Sequence, residues 1–307
     1  MSRLPLWTLA LLSLVYLLQT TAALRISAFN IKSFGDSKMS NETIAGVIRD
    51  VSIVLMYDVA LIQEVRDSDL SAVRKLMNQL NRALLQPYSY VVSEPLGRGS
   101  YKEQYLFIYR TGMVSVVDNY QYKDGCEPCG NDTFSREPFI VKFSSPHTEV
   151  QEFVLVPLHT PPSEAVAEIN ALYDVYLDVT RKWKTDNILF LGDFNADCDY
   201  VRPQDWPSIR LRTSPAFQWL IPDSADSTVS SNTDCAYDRI VVCGSELRRS
   251  TVAGSATVNN FQEVFNLSRE DVSEADKLPV FSVLQAAANC WPGDYHRGSW
   301  ARDQGQK

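Results

Sequence analysis

One junction recurs along this chain and limits what it can become. A short apolar run stops, and a carboxylate, an amide or an imidazole follows at once. Asn30 lies within Ala-Phe-Asn-Ile, Glu64 follows Leu-Ile-Gln, and Glu103 opens Glu-Gln-Tyr-Leu-Phe. His159 follows Val-Pro-Leu, Asp193 and Asn195 follow Phe-Leu-Gly, and Asp238 opens Asp-Arg-Ile-Val-Val. Buried strands that end in polar residues gather those residues at one rim of a sheet. The oxygen donors Asn30, Glu64, Asp193 and Asn195 suit a hard cation such as Mg²⁺ or Ca²⁺. A histidine beside a carboxylate suits proton transfer near neutral pH. Taken singly, each residue has a plainer explanation: an acid after a strand is usually a solvated turn residue. The joint pattern is what points to a site.

The periodicities predict strands at Leu24–Ile31, Asp58–Gln63, Tyr88–Val92, Glu103–Tyr109, Val114–Tyr122, Glu152–Pro157, Asn187–Leu191 and Asp238–Val242. Helices are expected at Asn41–Tyr57, with Ser40 as N-cap, at Asp69–Arg82 and at Ser163–Trp183. In the last of these, Val166, Ile169, Tyr173, Tyr176, Val179 and Trp183 recur at helical steps. There is no internal repeat and no linker before about residue 270. One α+β domain with packed sheets fits this order.

The N-terminus bears on compartment. Arg3 precedes an apolar run from Leu4 to Leu18, and small residues lead to Ala23. This predicts a signal peptide over residues 1–23 and a secreted chain. The run is short of the ~20 residues of a membrane span, so no membrane association is expected. Sequons at Asn41, Asn131 and Asn266 fit secretion. So do the six cysteines. Cys126 and Cys129, in Cys-Glu-Pro-Cys, are read as a small structural disulfide over a redox pair or half a zinc site. Cys198, Cys235, Cys243 and Cys290 have no pairing that sequence alone fixes. The formal net charge is −8. That disfavours nucleic-acid binding by bulk electrostatics, so any polyanion must meet a local basic patch, with divalent cations nearby. His147 and His296 receive no role.

Several blocks resemble the secreted deoxyribonuclease I branch of the endonuclease/exonuclease/phosphatase superfamily. They are Ala-Phe-Asn-Ile at 28–31, Gln-Glu-Val-Arg-Asp at 63–67 and Ser-Glu-Pro-Leu-Gly-Arg at 93–98. Tyr-Lys-Glu at 101–103, Ser-Arg-Glu-Pro at 135–138, Gly-Asp-Phe-Asn-Ala at 192–196 and Cys-Ala-Tyr-Asp-Arg-Ile at 235–240 follow in order. The resemblance runs from about Leu24 to about Val272 and leaves the sub-branch open. It implies an α+β four-layer sandwich: two central mixed, mainly antiparallel sheets flanked by helices. The activity implied is cation-dependent cleavage of double-stranded DNA to 5′-phosphorylated ends by a monomer.

Carried over residue by residue, Glu103 and His159 become a catalytic pair. Asn30, Glu64, Asp193 and Asn195 become ligands of Mg²⁺ (or Mn²⁺) at the scissile phosphate. Arg66, Tyr101 and Arg136 become DNA phosphate contacts. Structural Ca²⁺ is implied at Asp124, Asp132, the Phe134 carbonyl and Glu137, and again near Asp226 and Thr228. Cys198–Cys235 is the second implied disulfide. Actin contact, seen in some relatives, is disfavoured: Tyr90, Val91 and Val92 match that surface, but Phe139 replaces a small residue there.

The C-terminus departs from the pattern. By the resemblance Asp238 and Asp276 are also catalytic: Asp276 keeps the aspartate of the terminal motif and Asp238 the acid that pairs with the second catalytic histidine, but Lys277 stands where that histidine belongs. The catalytic domain is therefore expected over 24–284, followed by a divergent, irregular tail over 285–307. A second reading follows, of a member that binds DNA or a protein partner without efficient turnover. A third is a phosphodiesterase for another substrate, such as a sphingomyelinase or inositol phosphatase. The tyrosine-rich 101–109 stretch and Arg136 favour DNA.

Overall fold

Most strands of this chain are apolar on both faces, and their packing shows why. The computed structural model describes residues 24–54, 57–83, 87–125, 132–228, 233–259 and 280–286. In chain order the strands are β1 (Leu24–Phe34), β2 (Val59–Val65), β3 (Tyr88–Val92), β4 (Gln104–Arg110), β5 (Ser115–Gln121) and β6 (Phe139–Ser144). They continue with β7 (Glu152–Pro157), β8 (Ile188–Asp193), β9 (Gln218–Trp219), β10 (Asp238–Cys243), β11 (Thr257–Asn259) and β12 (Val280–Ala286). The helices are α1 (Asp36–Ser40), α2 (Glu42–Val54), α3 (Ser71–Ala83), α4 (Ala165–Trp183), α5 (Arg210–Thr213) and α6 (Ser245–Ser250).

Two six-stranded sheets result, ordered β11-β12-β1-β2-β4-β3 and β5-β6-β7-β8-β10-β9. The β1–β2 and β7–β8 pairs are parallel and the other neighbours antiparallel. Alternation along the strands then fills three apolar layers. Phe29, Ile31, Ala60, Ile62, Leu106 and Ile108 face α2 and α3, meeting Ile44, Ile48, Val73, Leu76 and Leu80. Their neighbours Leu24, Ile26, Ala28, Val59, Leu61 and Phe107 turn the other way, against Val141, Phe143, Phe153, Leu155, Leu189 and Leu191 of the second sheet. Val154, Val156, Ile188, Phe190 and Val241 complete the outer layer against Ile169, Leu172, Val175 and Val179 of α4. Helix, sheet, sheet and helix stack as four layers. A strand with a core on each side reads as a continuous apolar run. Each fully buried Leu or Phe here is worth about 1.5–3 kcal/mol.

Several expectations need correction. The helix expected at Asn41–Tyr57 runs Glu42–Val54 and its cap is Asn41, not Ser40; a separate short helix, Asp36–Ser40, precedes it. The Asn41 Oδ1 accepts the Thr43 and Ile44 N–H groups at 3.0 and 3.2 Å, satisfying donors that a helix start leaves open. Tyr57 is buried and leads into β2; its carbonyl accepts the Tyr88 hydroxyl at 2.5 Å. Strand β6 carries no clear strand pattern in the sequence because Lys142 interrupts its apolar run. The Lys142 ammonium pairs with Glu152 of the adjacent β7 at 2.6 Å. Strand β12 runs two residues beyond the expected domain end at 284 and pairs with β1 from Leu24↔Ala286 to Asn30↔Val280. Phe139 is buried and packs in the inter-sheet layer. No helix among the described residues is long and apolar enough to cross a membrane.

Candidate active site

The two sheets bring their polar strand ends together at one rim. On the first sheet, Ile62 and Val65 both face the helix-side layer although they are three positions apart, an odd step that would put them on opposite faces of a regular strand. The register of β2 against β4 shifts between these two residues, so one extra residue is accommodated there. Such a bulge re-aims a side chain. Glu64 takes a left-handed backbone, φ 57°, and its Oε2 accepts the Ser33 N–H at 3.1 Å. The Asn30 Nδ2 donates to Asp193 Oδ2 of the second sheet at 3.1 Å. Asn195, also left-handed at φ 47°, donates its N–H to Asp193 Oδ1 at 3.1 Å and its Nδ2 to the Thr160 carbonyl at 2.9 Å. Left-handed backbone at two site residues, one from each sheet, is the kind of distortion that surrounding packing must sustain. The Asn30 Oδ1 is buried and has no hydrogen-bond partner among the described residues. A buried, unpartnered amide oxygen whose own nitrogen is held by the Asp193 carboxylate fits a hard divalent cation.

His159 sits just past β7, with its Nδ1 2.9 Å from Glu103 Oε2. Its backbone N–H donates to the Tyr105 hydroxyl oxygen at 2.9 Å, and its carbonyl accepts the Arg136 Nε–H at 3.0 Å. The same Arg136 Nε is 3.3 Å from Glu103 Oε2. Burial pushes the Glu103 carboxyl up, but the His159 imidazole and the Arg136 guanidinium outweigh it and hold its pKa below the usual range. An ionised Glu103 keeps the ring proton on Nδ1. The other ring nitrogen, Nε2, is turned into the site, 3.9 Å from Glu64 Oε1.

Asp238 opens β10 directly across from Asp193 in the strand register. It is buried, its Oδ1 has no hydrogen-bond partner among the described residues, and burial followed by repulsion from Asp193 pushes its carboxyl far above the usual range. Asp276 and Lys277 lie outside the described residues.

The expected phosphate contacts lie beside this rim. The Arg66 guanidinium is 4.1 Å from the centre of the Tyr101 ring, which is 46% exposed. Of the expected calcium ligands, carboxylate oxygens of Asp124, Asp132 and Glu137 lie within 4.8 Å of one another. Asp124 Oδ2 also accepts the Thr133 and Phe134 N–H groups at 2.8 and 2.7 Å. Burial, and the nearby Asp124 charge against the pull of Arg98, raises the Asp132 carboxyl. A bound cation would relieve that repulsion. Around Asp226 the described residues supply less: its Oδ1 accepts the Thr228 N–H and hydroxyl at 2.9 and 2.6 Å, and residues 229–232 lie outside the description. The Cys198–Cys235 disulfide is formed, and Cys243 is a buried free thiol. Asn41 is exposed; Cys126, Cys129, Cys290, Asn131 and Asn266 lie outside the described residues.

Sequence reasoning gave no role to three buried polar residues near the site: Gln63, Tyr105 and Glu168. Gln63 and Tyr105 each stand at an inward position of a strand whose other inward residues are apolar, a signal that could have found them. Glu168 stands on the buried face of α4, where Oε1 accepts the Ser135 N–H at 2.8 Å and burial pushes the carboxyl up to about 7.

Residues 27–294 match the Endonuclease/Exonuclease/phosphatase family. Deoxyribonuclease-1 of Gallus gallus is 63% identical over 279 residues, covering 91% of this chain and 98% of the relative. Deoxyribonuclease-1 of Homo sapiens is 59% identical over 278 residues, covering 90% and 97%. Among solved structures, an endonuclease/exonuclease/phosphatase family protein from Leptotrichia buccalis superposes with a TM-score of 0.59 at 14% identity, over 85% of this chain and 98% of the other. A Bacteroides vulgatus protein of the same description gives 0.58 at 15%, over 86% and 98%. These structural likenesses bear on the fold alone.

Proposed function

The chain belongs to the Endonuclease/Exonuclease/phosphatase family, and on that premise we propose that it is a deoxyribonuclease whose proton-handling pair is His159 and Glu103. The reaction is hydrolysis of a DNA phosphodiester bond: water oxygen adds to phosphorus, the P–O3′ bond breaks, and the 5′-phosphate and 3′-hydroxyl ends separate. The observation that carries the assignment of the pair is the 2.9 Å contact of His159 Nδ1 with an ionised Glu103. It leaves Nε2 as the one ring atom able to exchange a proton with the reacting oxygens. Neutral Nε2 takes a proton from the attacking water, the imidazolium so formed is stabilised by Glu103, and the departing O3′ takes up a proton from solvent to become the 3′-hydroxyl. Positioned acid–base groups contribute on the order of 10²–10⁴-fold.

Asn30, Glu64, Asp193 and Asn195 would hold one divalent cation, Mg²⁺ or Mn²⁺, which when bound would neutralise charge developing at phosphorus. Arg136 ties the His159 carbonyl to Glu103 and leaves the rest of its guanidinium for a phosphate. Arg66, stacked on Tyr101, offers a second phosphate contact, so cationic groups meet DNA locally although the chain is acidic. Such contacts hold the backbone without reading bases. Asp124, Asp132 and Glu137, with the Phe134 carbonyl, would hold Ca²⁺ and so fix the segment that carries Arg136. Residues 1–23 would direct the chain to secretion. The nearly full length shared with the relatives supports turnover over binding alone.

The test is a plasmid-nicking assay in Mg²⁺ and Ca²⁺ on the purified protein, with the ends read by 5′-phosphate labelling. Nicks that carry 5′-hydroxyls, or no nicking at all, would refute the reading.

A further inference from the structure

The side chain of Gln63 crosses from the first sheet into the second and stands in a hydrogen-bond ladder that is not its own. Strands β7 and β8 are parallel, paired up to Pro157↔Leu191. The ladder continues past the strand end: the Leu158 N–H donates to the Leu191 carbonyl at 3.1 Å, and the Thr160 N–H to the Asp193 carbonyl at 3.2 Å. Between these two rungs a parallel ladder calls for the Asp193 N–H to donate to the Leu158 carbonyl. It does not. The Asp193 N–H donates to Gln63 Oε1 at 3.0 Å, and Gln63 Nε2 donates to the Leu158 carbonyl at 2.7 Å. One carboxamide replaces one rung, with its acceptor and its donor each used in the correct sense.

The substitution has geometric consequences. A side-chain amide inserted between an N–H and a C=O holds them farther apart than a direct bond would, so the two backbones bow apart at this one rung, between direct rungs kept at 3.1 and 3.2 Å, where the site residues begin. His159 follows Leu158, Asp193 supplies the clamped N–H, and Glu64 follows Gln63. Gln63 also pairs in register with Asn30 across β1 and β2. Its side chain is fully buried, in an inter-sheet layer where an amide without partners would be strongly destabilising. The chain makes room for it with Gly192. A Cβ at 192 would lie 2.5 Å from the Leu158 carbonyl oxygen and 2.6 and 2.9 Å from Gln63 Nε2 and Oε1, and the residue has φ +129°.

We propose that Gln63 is a positioning residue that wedges β7 and β8 apart and ties both to β2, so setting the distance of His159 and Asp193 from Glu64. The proposal rests on the deoxyribonuclease reading for its kinetic consequence only. Misplacing reacting groups by about 1 Å can cost on the order of 10²-fold in rate.

The experiment compares Gln63→Leu, Gln63→Glu, Gly192→Ala and the Gln63→Leu/Gly192→Ala double variant with wild type, in nicking kinetics and thermal melting. Gln63→Leu removes both bonds and lets Asp193 N–H close directly onto Leu158. Its kcat should fall roughly 10–100-fold while KM for DNA stays within about threefold, since Arg66, Tyr101 and Arg136 are untouched. Gly192→Ala pushes the amide from the rung and should lower kcat similarly, and the double variant should be little worse than either single one, because both break the same rung. Gln63→Glu keeps an acceptor for the Asp193 N–H but, as a carboxylate, offers Leu158 no donor, so its kcat should fall with that of Gln63→Leu. A folded Gln63→Leu with kcat within twofold of wild type, or additive losses in the double variant, would overturn the proposal.

Loss of melting temperature in Gln63→Leu is covered by a second readout. In wild type the Gln63 side-chain amide protons should exchange with solvent far more slowly than those of exposed glutamines, whether or not the protein nicks DNA. Fast exchange would overturn the rung. Slow exchange in a protein that does not nick DNA would instead overturn the deoxyribonuclease reading.

Discussion

Glu103 and Glu168 are both stripped of water and both feel the charge of Arg136, yet their carboxyls move in opposite directions. Glu103, 4% exposed, has an imidazole at 2.9 Å and a guanidinium at 3.3 Å. Those partners overcome the burial penalty and keep it ionised. Glu168, 0% exposed, takes one backbone N–H, and its Oε2 has no hydrogen-bond partner among the described residues. There burial prevails and the carboxyl rises to about 7. Burial penalises any buried charge; what partners it keeps decides whether the charge survives. Asp238 follows the rule of Glu168, pushed up by burial and by Asp193 with little to offset either.

The contrast breaks most sharply at His159. His159→Ala removes the partner that distinguishes the two glutamates, and nicking should fall about 10²–10⁴-fold with a melting temperature near wild type. Glu103→Ala should match it. A nicking rate close to wild type in either would take the pair out of the reaction. A smaller effect is expected from the acidic loop that leads to Arg136. Millimolar Ca²⁺ should raise the melting temperature above that in EGTA, the gain being about 2.7 kcal/mol at a hundredfold excess over Kd. Asp132→Asn should remove most of that gain, and an equal midpoint with and without calcium in wild type would exclude a structural ion there.

Arg66→Ala offers a control outside the comparison. DNA affinity should drop about tenfold, with the slope of log K against log salt shallower by about 0.9, and kcat little changed; an unaltered salt slope would remove Arg66 from the DNA surface. The smallest effect sharpens the comparison directly. Glu168 holds its proton up to about pH 7 when folded and to about pH 4.3 when unfolded. Folding therefore takes up a proton between these values, and this group's contribution to stability falls as pH rises through that window. Glu168→Gln lacks the dependence, so its melting temperature relative to wild type should climb from pH 5 to pH 8. A difference that does not vary with pH would mean that Glu168 stays ionised in the fold.

What the sequence displayed was residue type and period. Continuous apolar runs such as Ile188–Leu191 announced strands with a core on each side, and the carboxylates and amides at their ends announced the rim. Distances across the rim are another matter. Asn30 and Asp193 meet from 163 residues apart, and His159 and Glu103 from 56. No local pattern encodes such contacts; the family resemblance carried them. Local rules also failed where one tertiary partner overrode them. Lys142 interrupts an apolar run but is answered by Glu152 on the next strand. Gln63 ends a strand with no role that its own sheet reveals, because the ladder that it enters belongs to the other sheet. The bulge that frees Glu64 is a property of backbone register, and residue types do not record it.

The order of strands in the two sheets also sets an order of assembly. All six strands of the second sheet come from one stretch, Ser115 to Cys243, whereas β1 lies between β2 and β12. A ribosome therefore releases the first strand long before its antiparallel neighbour exists. Until Val280–Ala286 emerges, the backbone donors and acceptors of β1 on that side face water or a chaperone, an edge open to wrong pairing. The second sheet can pair as soon as its own stretch is out and offer its apolar inner face to the waiting strands. The earliest strand to be synthesised is thus among the last to gain both neighbours.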